Sequence, residues 1–357
     1  MKIKVNYIEG QKGSSVFGVN RISVEMISKL RKVVEYKKIT YRLFLENSFL
    51  RQFFIYFWYP VRLALRLLNS VEIIHISNQG YAHIAHFLPK NKLIITCCDL
   101  IPLISPQNNN FWQNKLLKFS FSGLKKAKKI IAISQSTKTN LINLLNIPEE
   151  KIVVVYPGID EKFRELDKRK VLKLKKSLFP GRKIILYVGS YLPNKNLPTV
   201  LRVFQKIRKK INNLILVIVN EKNKLPSEDK ALIDNLNIEN DIYFTGYISD
   251  QKLVELYNMA DVFLFPSLYE GFGFPVIEAM ACGCPVITSD TSSLPELVGD
   301  GGIMVDFNNY KKIAKKAIQL LKNREISDTM INKGLKQVEK FRDNPSEKVL
   351  DIYRELV

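Results

Sequence analysis

Twice along this 357-residue chain, short apolar runs alternate with longer stretches of helical periodicity, and that alternation leaves few folds open. Lys2–Ile8, Val71–Ile76, Leu93–Cys97, Ile130–Ser134 and Ile152–Tyr156 are rich in Ile and Val and read as buried strands. Strands interleaved with helices build a parallel sheet covered on both faces. The pattern restarts at Ile184–Val188, Leu214–Val219, Ile242–Thr245, Val262–Phe265 and Val286–Ser289, so a second doubly wound α/β sheet follows the first. The charged stretch Glu161–Lys176 lies between them as linker and first helix, which divides the chain into domains 1–170 and 171–340. In 341–357, Asn344 and Pro345 signal a helix start, and Val349, Ile352, Tyr353 and Leu356 recur at helical spacing, giving a closing helix.

No run of eighteen uncharged apolar residues occurs, and the opening MKIKVNYIEG reads as a first strand, so the expectation is a cytoplasmic protein that spans no membrane. The net charge of +21 is lopsided: residues 1–170 hold 28 Lys and Arg against 12 Asp and Glu, whereas residues 171–357 hold 27 against 22. A one-sided positive field attracts phosphate-bearing polymers or anionic lipid surfaces. Within the basic half, Phe49–Leu68 packs Phe53, Phe54, Tyr56, Phe57, Trp58 and Tyr59 between Arg51 and the pair Arg62 and Arg66. Two readings stay open there: aromatic rings at the inner face of a membrane, or a core helix with a solvated basic face. Lys115–Lys129 adds a second basic stretch. Against a nucleic-acid partner, the aromatics concentrate in one apolar stretch and no nucleic-acid-binding motif appears. Cys97, Cys98, Cys282 and Cys284 form an adjacent pair and a C-x-C, spacings that suit neither a disulfide framework nor a zinc knuckle, so they read as buried thiols and no metal is assigned.

The most informative stretch is 266–290, PSLYEGFGFPVIEAMACGCPVITSD. Gly271 and Gly273 let backbone approach a ligand, Pro275 suits a first helical turn and Gly283 ends that helix. A helix N-terminus at the carboxyl end of a strand favours a diphosphate. Glu270 and Glu278 flank this turn, and a carboxylate there suits sugar and ribose hydroxyls, each of which donates a hydrogen bond to it. Lys195 lies between a strand and a helix opening at Asn196–Pro198, where an ammonium can meet a phosphate.

The segment EGFGFPVIEAMACGCPVITSD, followed by SSLPELVGDGGIMVD, resembles the E-x7-E donor signature of glycosyltransferase family 4. The likeness extends through FGVNR (Phe17–Arg21), CCDLIPL (Cys97–Leu103), AISQSTK (Ala132–Lys138), YPGID (Tyr156–Asp160), VGSYLPNKN (Val188–Asn196) and the segment Phe244–Ser267. It implies the GT-B fold, two facing Rossmann-like domains with the C-terminal helix crossing back to the first. It implies a retaining, metal-independent hexosyltransferase without a cofactor, whose substrate is a nucleoside-diphosphate sugar. By the same resemblance, Glu270 faces the sugar near the anomeric carbon, Lys195 neutralises the leaving diphosphate and Glu278 holds the ribose. Gly271, the amides of Phe272, Gly273 and Phe274, Ser190 and the loop residue Gly18 line the donor; Phe17, Cys98 and Asp99 lie near the sugar and acceptor. DLIPL, P-x-K-N and SSLPELVGD most resemble mannosyl- and rhamnosyltransferases, which makes GDP-mannose the first donor and a UDP-sugar the alternative, with a glycan or lipid-linked acceptor. Two departures stand out. Members often carry His-Asp where this chain has Cys98-Asp99, and an Arg where it has Ser190 or Asn194. These departures also motivate a competing reading, a non-catalytic nucleotide-sugar-binding relative; a nucleic-acid-binding protein is the more distant one.

Overall fold

The computed structural model describes residues 2–11, 30–41, 48–104, 111–342 and 345–357. The chain divides into two compact units, Met1–Gly158 with Asn344–Val357, and Ile159–Asp343. The division falls ahead of the charged stretch read as a linker, because the amide of Ile159 donates to the carbonyl of Phe341 and Phe163 is buried, so this stretch opens the second unit.

Among the described residues, the first unit holds a six-stranded sheet in the order β2-β1-β3-β4-β5-β6, with every pair parallel. The strands are β1 (Ile3–Gln11), β2 (Val34–Tyr41), β3 (Ile73–Ile76), β4 (Leu93–Cys97), β5 (Lys129–Ala132) and β6 (Ile152–Val154). β1 runs through Gly10, which takes φ +80° at a shift of register against β2, and a Cβ there would meet the Tyr81 ring at 1.9 Å. Phe17, Gly18 and Arg21 lie outside the described residues. β2 escaped the sequence reading because VEYKKITY is an edge strand whose Lys37 and Lys38 break the apolar run.

One face of this sheet packs Ile8, Ile76, Ile95 and Leu100 with Leu63 and Leu67 of helix α1 (Tyr59–Leu67) and Phe121 of helix α2 (Phe111–Ser122). The aromatic segment is helical over residues 48–67 with one π-helical turn, Phe54–Trp58; Tyr59, Leu63 and Leu67 are core, while Phe53, Phe57, Trp58 and Leu65 are exposed. The opposite face carries the closing helix α5, which spans Pro345–Arg354 and buries Val349, Ile352 and Tyr353; Asn344 lies outside the described residues. Tyr353 there shares a 2.7 Å hydrogen bond with Nδ1 of buried His75, whose Nε2 shares one of 2.8 Å with Thr96 Oγ1.

The second unit repeats the scheme with β7 (Lys183–Val188), β8 (Leu214–Val219), β9 (Ile242–Phe244), β10 (Val262–Phe265), β11 (Val286–Thr288) and β12 (Ile303–Met304), ordered β12-β11-β10-β7-β8-β9. β12, only two residues long, was not read from the sequence. β7 and β10 are adjacent and parallel, yet the chain leaves them in opposite directions along the sheet, β7 toward β8 and β10 toward β11. Such a topological switch point opens a crevice at the strands' carboxyl ends, where ligands of open α/β sheets bind.

Candidate active site

The loops leaving β7 and β10 meet at that switch point. After β7 the chain makes a short 3-10 turn, Pro193–Lys195, and Asn196 takes a left-handed conformation before helix α3 (Leu197–Arg208). Asn194, one of the two positions where family members often carry an Arg, ties the two loops together. Its side chain donates to the carbonyl of Tyr269 at 3.1 Å, and its own carbonyl accepts from the Leu268 amide at 2.8 Å and the Ser267 hydroxyl at 2.6 Å. Asn196 adds a hydrogen bond to the Pro266 carbonyl at 2.9 Å.

This lacing brings Lys195 and Glu270 together, 75 residues apart in sequence. Nζ lies 2.7 and 2.8 Å from the two carboxylate oxygens, a forked ion pair in which the Glu270 side chain is 8% and the Lys195 side chain 20% exposed. Further groups fix Glu270 in place. The Ser267 hydroxyl lies 2.6 Å from both Oε1 and the Asn194 carbonyl, which share its one proton, the Glu270 amide donates to Ser292 Oγ at 2.9 Å, and the Ser293 hydroxyl, 2.5 Å from the Phe272 carbonyl, lies 3.1 Å from that of Glu270. Ser292 holds φ at +53°, a sparsely populated conformation for a non-glycine residue, sustained by this network. Beneath Lys195, the Tyr187 hydroxyl lies 3.3 Å from the carbonyls of both Ser190 and Lys195, which share its one proton. Burial, and then the charge of Glu270, pushes the Tyr187 phenol far above its ordinary range, so it remains a donor. Ser190 is exposed at the mouth of the β7 loop.

Helix α4 (Phe274–Ala281) starts from Gly273, whose φ of +113° and close neighbours forbid a larger residue: a Cβ would sit 3.0 Å from Leu294 and 3.2 Å from Leu297. Gly271 and Phe272 are buried beside it, and the rings of Phe272 and Phe274 meet edge to face at 5.1 Å. The first turn holds no acidic residue, so nothing negative competes for its positive dipole end. Glu278 follows one turn later, 3% exposed, and accepts a 3.0 Å hydrogen bond from the buried Tyr257 hydroxyl.

The remaining predicted residues belong to the first unit. Cys98 and Asp99 directly follow β4. The buried Cys98 amide donates to Gln79 Oε1 at 2.8 Å, its carbonyl accepts from Thr137, and burial followed by the charge of Asp99 pushes its thiol well up, which keeps it protonated. Asp99 Oδ1 accepts from the Ile101 amide at 3.1 Å. Cys97, Cys282 and Cys284 are likewise buried free thiols. No helix among the described residues is long and apolar enough to cross a membrane.

Ser267, Ser292, Ser293, Tyr187 and Tyr257 were not singled out in the sequence. Ser267 lies inside the informative stretch and could have been found there. Tyr257 sits in an ordinary amphipathic helix, Asp250–Met259, with nothing local to mark it.

Known proteins resemble this chain along most of its length. Residues 169–337 match the family model described as Glycosyl transferases group 1, and residues 22–163 that of Glycosyltransferase Family 4. O-antigen chain mannosyltransferase B of Escherichia coli is 30% identical over 266 residues, 73% of this chain and 68% of that one. Serotype-specific mannosyltransferase WbdA of E. coli is 28% identical over 242 residues, which are 64% of this chain and only 29% of that longer protein. Among solved structures, Anabaena HepE in complex with UDP and glucose superposes with a TM-score of 0.80 at 16% identity, covering 99% of this chain and 100% of that one, so the fold is that of the GT-B glycosyltransferases. By both family models and by the mannosyltransferase it matches over most of its length, the chain belongs to glycosyltransferase family 4.

Proposed function

We propose that the protein transfers a mannose-like sugar from a nucleoside diphosphate to a hydroxyl of a glycan or lipid-linked acceptor, with retention of anomeric configuration. GDP-mannose is the first donor and a UDP-sugar the alternative, and the acceptor is presented at an anionic membrane surface on the cytoplasmic side. The observation that carries this reading is the convergence at the β7/β10 switch point of a cation, a buried carboxylate and an acid-free helix start, with Glu278 one turn further on.

In this reading the diphosphate lies against the start of α4, near the amides of Phe272, Gly273 and Phe274, with Lys195 placed to offset the charge that grows on it as the glycosidic bond breaks. Glu278, oriented by Tyr257, accepts the ribose hydroxyls. Glu270 accepts sugar hydroxyls and fixes the anomeric carbon relative to the acceptor. Retention follows from front-face attack, in which the departing phosphate takes the acceptor proton. The E. coli mannosyltransferases similar to this chain support the sugar, and the UDP bound by Anabaena HepE keeps the alternative donor in view.

A thermal-shift screen of GDP, UDP, ADP and dTDP with their sugars tests the proposal. A nucleotide at a hundred times its Kd stabilises the native state by about 2.7 kcal/mol, roughly 5–10 °C for a unit of this size. One nucleotide series should produce that shift, and Glu278→Ala and Lys195→Ala should each abolish it. A flat response to all four nucleotides sinks the reading.

A further inference from the structure

The first unit carries an exposed surface that the donor chemistry leaves unused. It begins on the helical segment ahead of α1, where Phe53 and Phe57 stack at 6.0 Å and the Arg62 guanidinium lies over the Trp58 ring at 5.2 Å. It continues onto α2 through Phe57, which stacks on Phe119 at 6.4 Å. At the start of α2, Phe111 and Trp112 are 65% and 69% exposed, and the Lys115 ammonium lies over both rings at 4.6 and 5.4 Å. Leu65, at 68% exposure, adds aliphatic surface next to exposed Arg62 and Arg66. So many large rings and aliphatic chains standing in water are more than a solvated helix face needs.

The two segments that form this surface carry charge of one sign. Residues 47–71 and 100–148, which include both helices, contain no Asp or Glu, while they hold Arg51, Arg62, Arg66, Lys115, Lys118 and Lys125 among their cations. We infer that this two-helix surface docks the protein on an anionic lipid bilayer, with the rings and Leu65 entering the headgroup boundary and the surrounding cations meeting lipid phosphates. The inference deepens the proposed acceptor reading by naming the surface that would bring the enzyme to a lipid-linked acceptor, and it rests on that reading for the acceptor alone. A second copy of the chain fits less well, because apposing two such surfaces would bring like charges together with no acid to balance them. A nucleic acid would satisfy the cations and leave the aliphatic surface of Leu65 and Val61 in water.

Vesicle flotation of the full chain tests this, comparing phosphatidylcholine alone with phosphatidylcholine mixed with phosphatidylglycerol. The wild type should float with the mixed vesicles at low salt, not with phosphatidylcholine alone, and should be released as salt rises. Each cation near an anionic surface contributes roughly fivefold to binding, so Arg62→Gln with Arg66→Gln should weaken it about 25-fold. Phe111→Ser with Trp112→Ser should weaken it at unchanged charge. Both double variants should keep the wild-type melting temperature and nucleotide-induced shift, which separates a failure of docking from a failure of the donor site. The inference is overturned if mixed vesicles do not bind, if neither double variant weakens binding, or if the same variants instead abolish self-association in sedimentation or retention on duplex DNA.

Discussion

Glu270→Gln should separate two roles that the geometry entangles. Lys195 donates to both oxygens of a carboxylate that is nearly buried. At that separation the Coulomb attraction is about 6 kcal/mol for an effective dielectric near 20, and desolvation offsets most of it, leaving the roughly 1.5–3 kcal/mol of a hydrogen bond to a charged group. The amide keeps the shape and can still accept from Ser267 through its oxygen, so the variant should fold, with a melting temperature lower by roughly 3–12 °C. A diphosphate entering the wild-type site has to share Lys195 with Glu270; in the variant it does not. If half of the smaller figure is recovered, about 0.8 kcal/mol, the bare nucleoside diphosphate binds the variant roughly fourfold more tightly. The complete donor gains less or loses, because a neutral amide at this position accepts sugar hydroxyls more weakly than the carboxylate does, and transfer falls by at least about tenfold. Calorimetric titration of wild type, Glu270→Gln and Lys195→Ala with nucleotide and with nucleotide sugar reads the binding effects, and a transfer assay reads the third. The reasoning is refuted if Glu270→Gln weakens the bare nucleotide as Lys195→Ala does, since the carboxylate would then serve only to position the lysine.

Gly273→Ala should lower stability by about 1–3 kcal/mol, read from urea unfolding, because φ +113° disfavours any Cβ and the added methyl presses on Leu294 and Leu297; nucleotide affinity should fall with it as the start of α4 shifts. Acid should loosen the first unit. Burial lowers His75 to about 3 and His83 to about 4, so both are neutral when folded and bind protons only on unfolding below about pH 6.5. The stability they support is therefore complete above that pH and is lost as pH falls, at roughly 1.4 kcal/mol per pH unit for each histidine until its folded value is reached. Urea midpoints at pH 7, 6 and 5 should show that decline, and His75→Gln should make it shallower; an unchanged slope in the variant would assign the acid sensitivity to other groups.

The parts of this molecule that declared themselves in sequence are those whose physics is local. Leu93–Cys97, Leu214–Val219 and Val262–Phe265 were read to the residue because a central strand of a doubly wound sheet is buried on both faces and so is largely apolar. β2 failed that test because an edge strand tolerates Lys37 and Lys38. At the site, Gly273, Pro275 and Glu278 mark a helix start that a few consecutive residues can encode. What no window of sequence contains is the pairing of Lys195 with Glu270, or of Tyr257 with Glu278, since those distances are set by strand order. Once β7 and β10 are neighbours, the loops after them must share one crevice, and Asn194 has a partner, Tyr269, that an Arg-centred expectation would overlook. The surface around Phe57 and Trp112 makes the same point from the other side. The aromatic run at 53–59 was conspicuous in sequence, but the stacking of Phe57 on Phe119 is what joins it to a second helix, and the joined surface combines exposed rings from two segments that both lack acids.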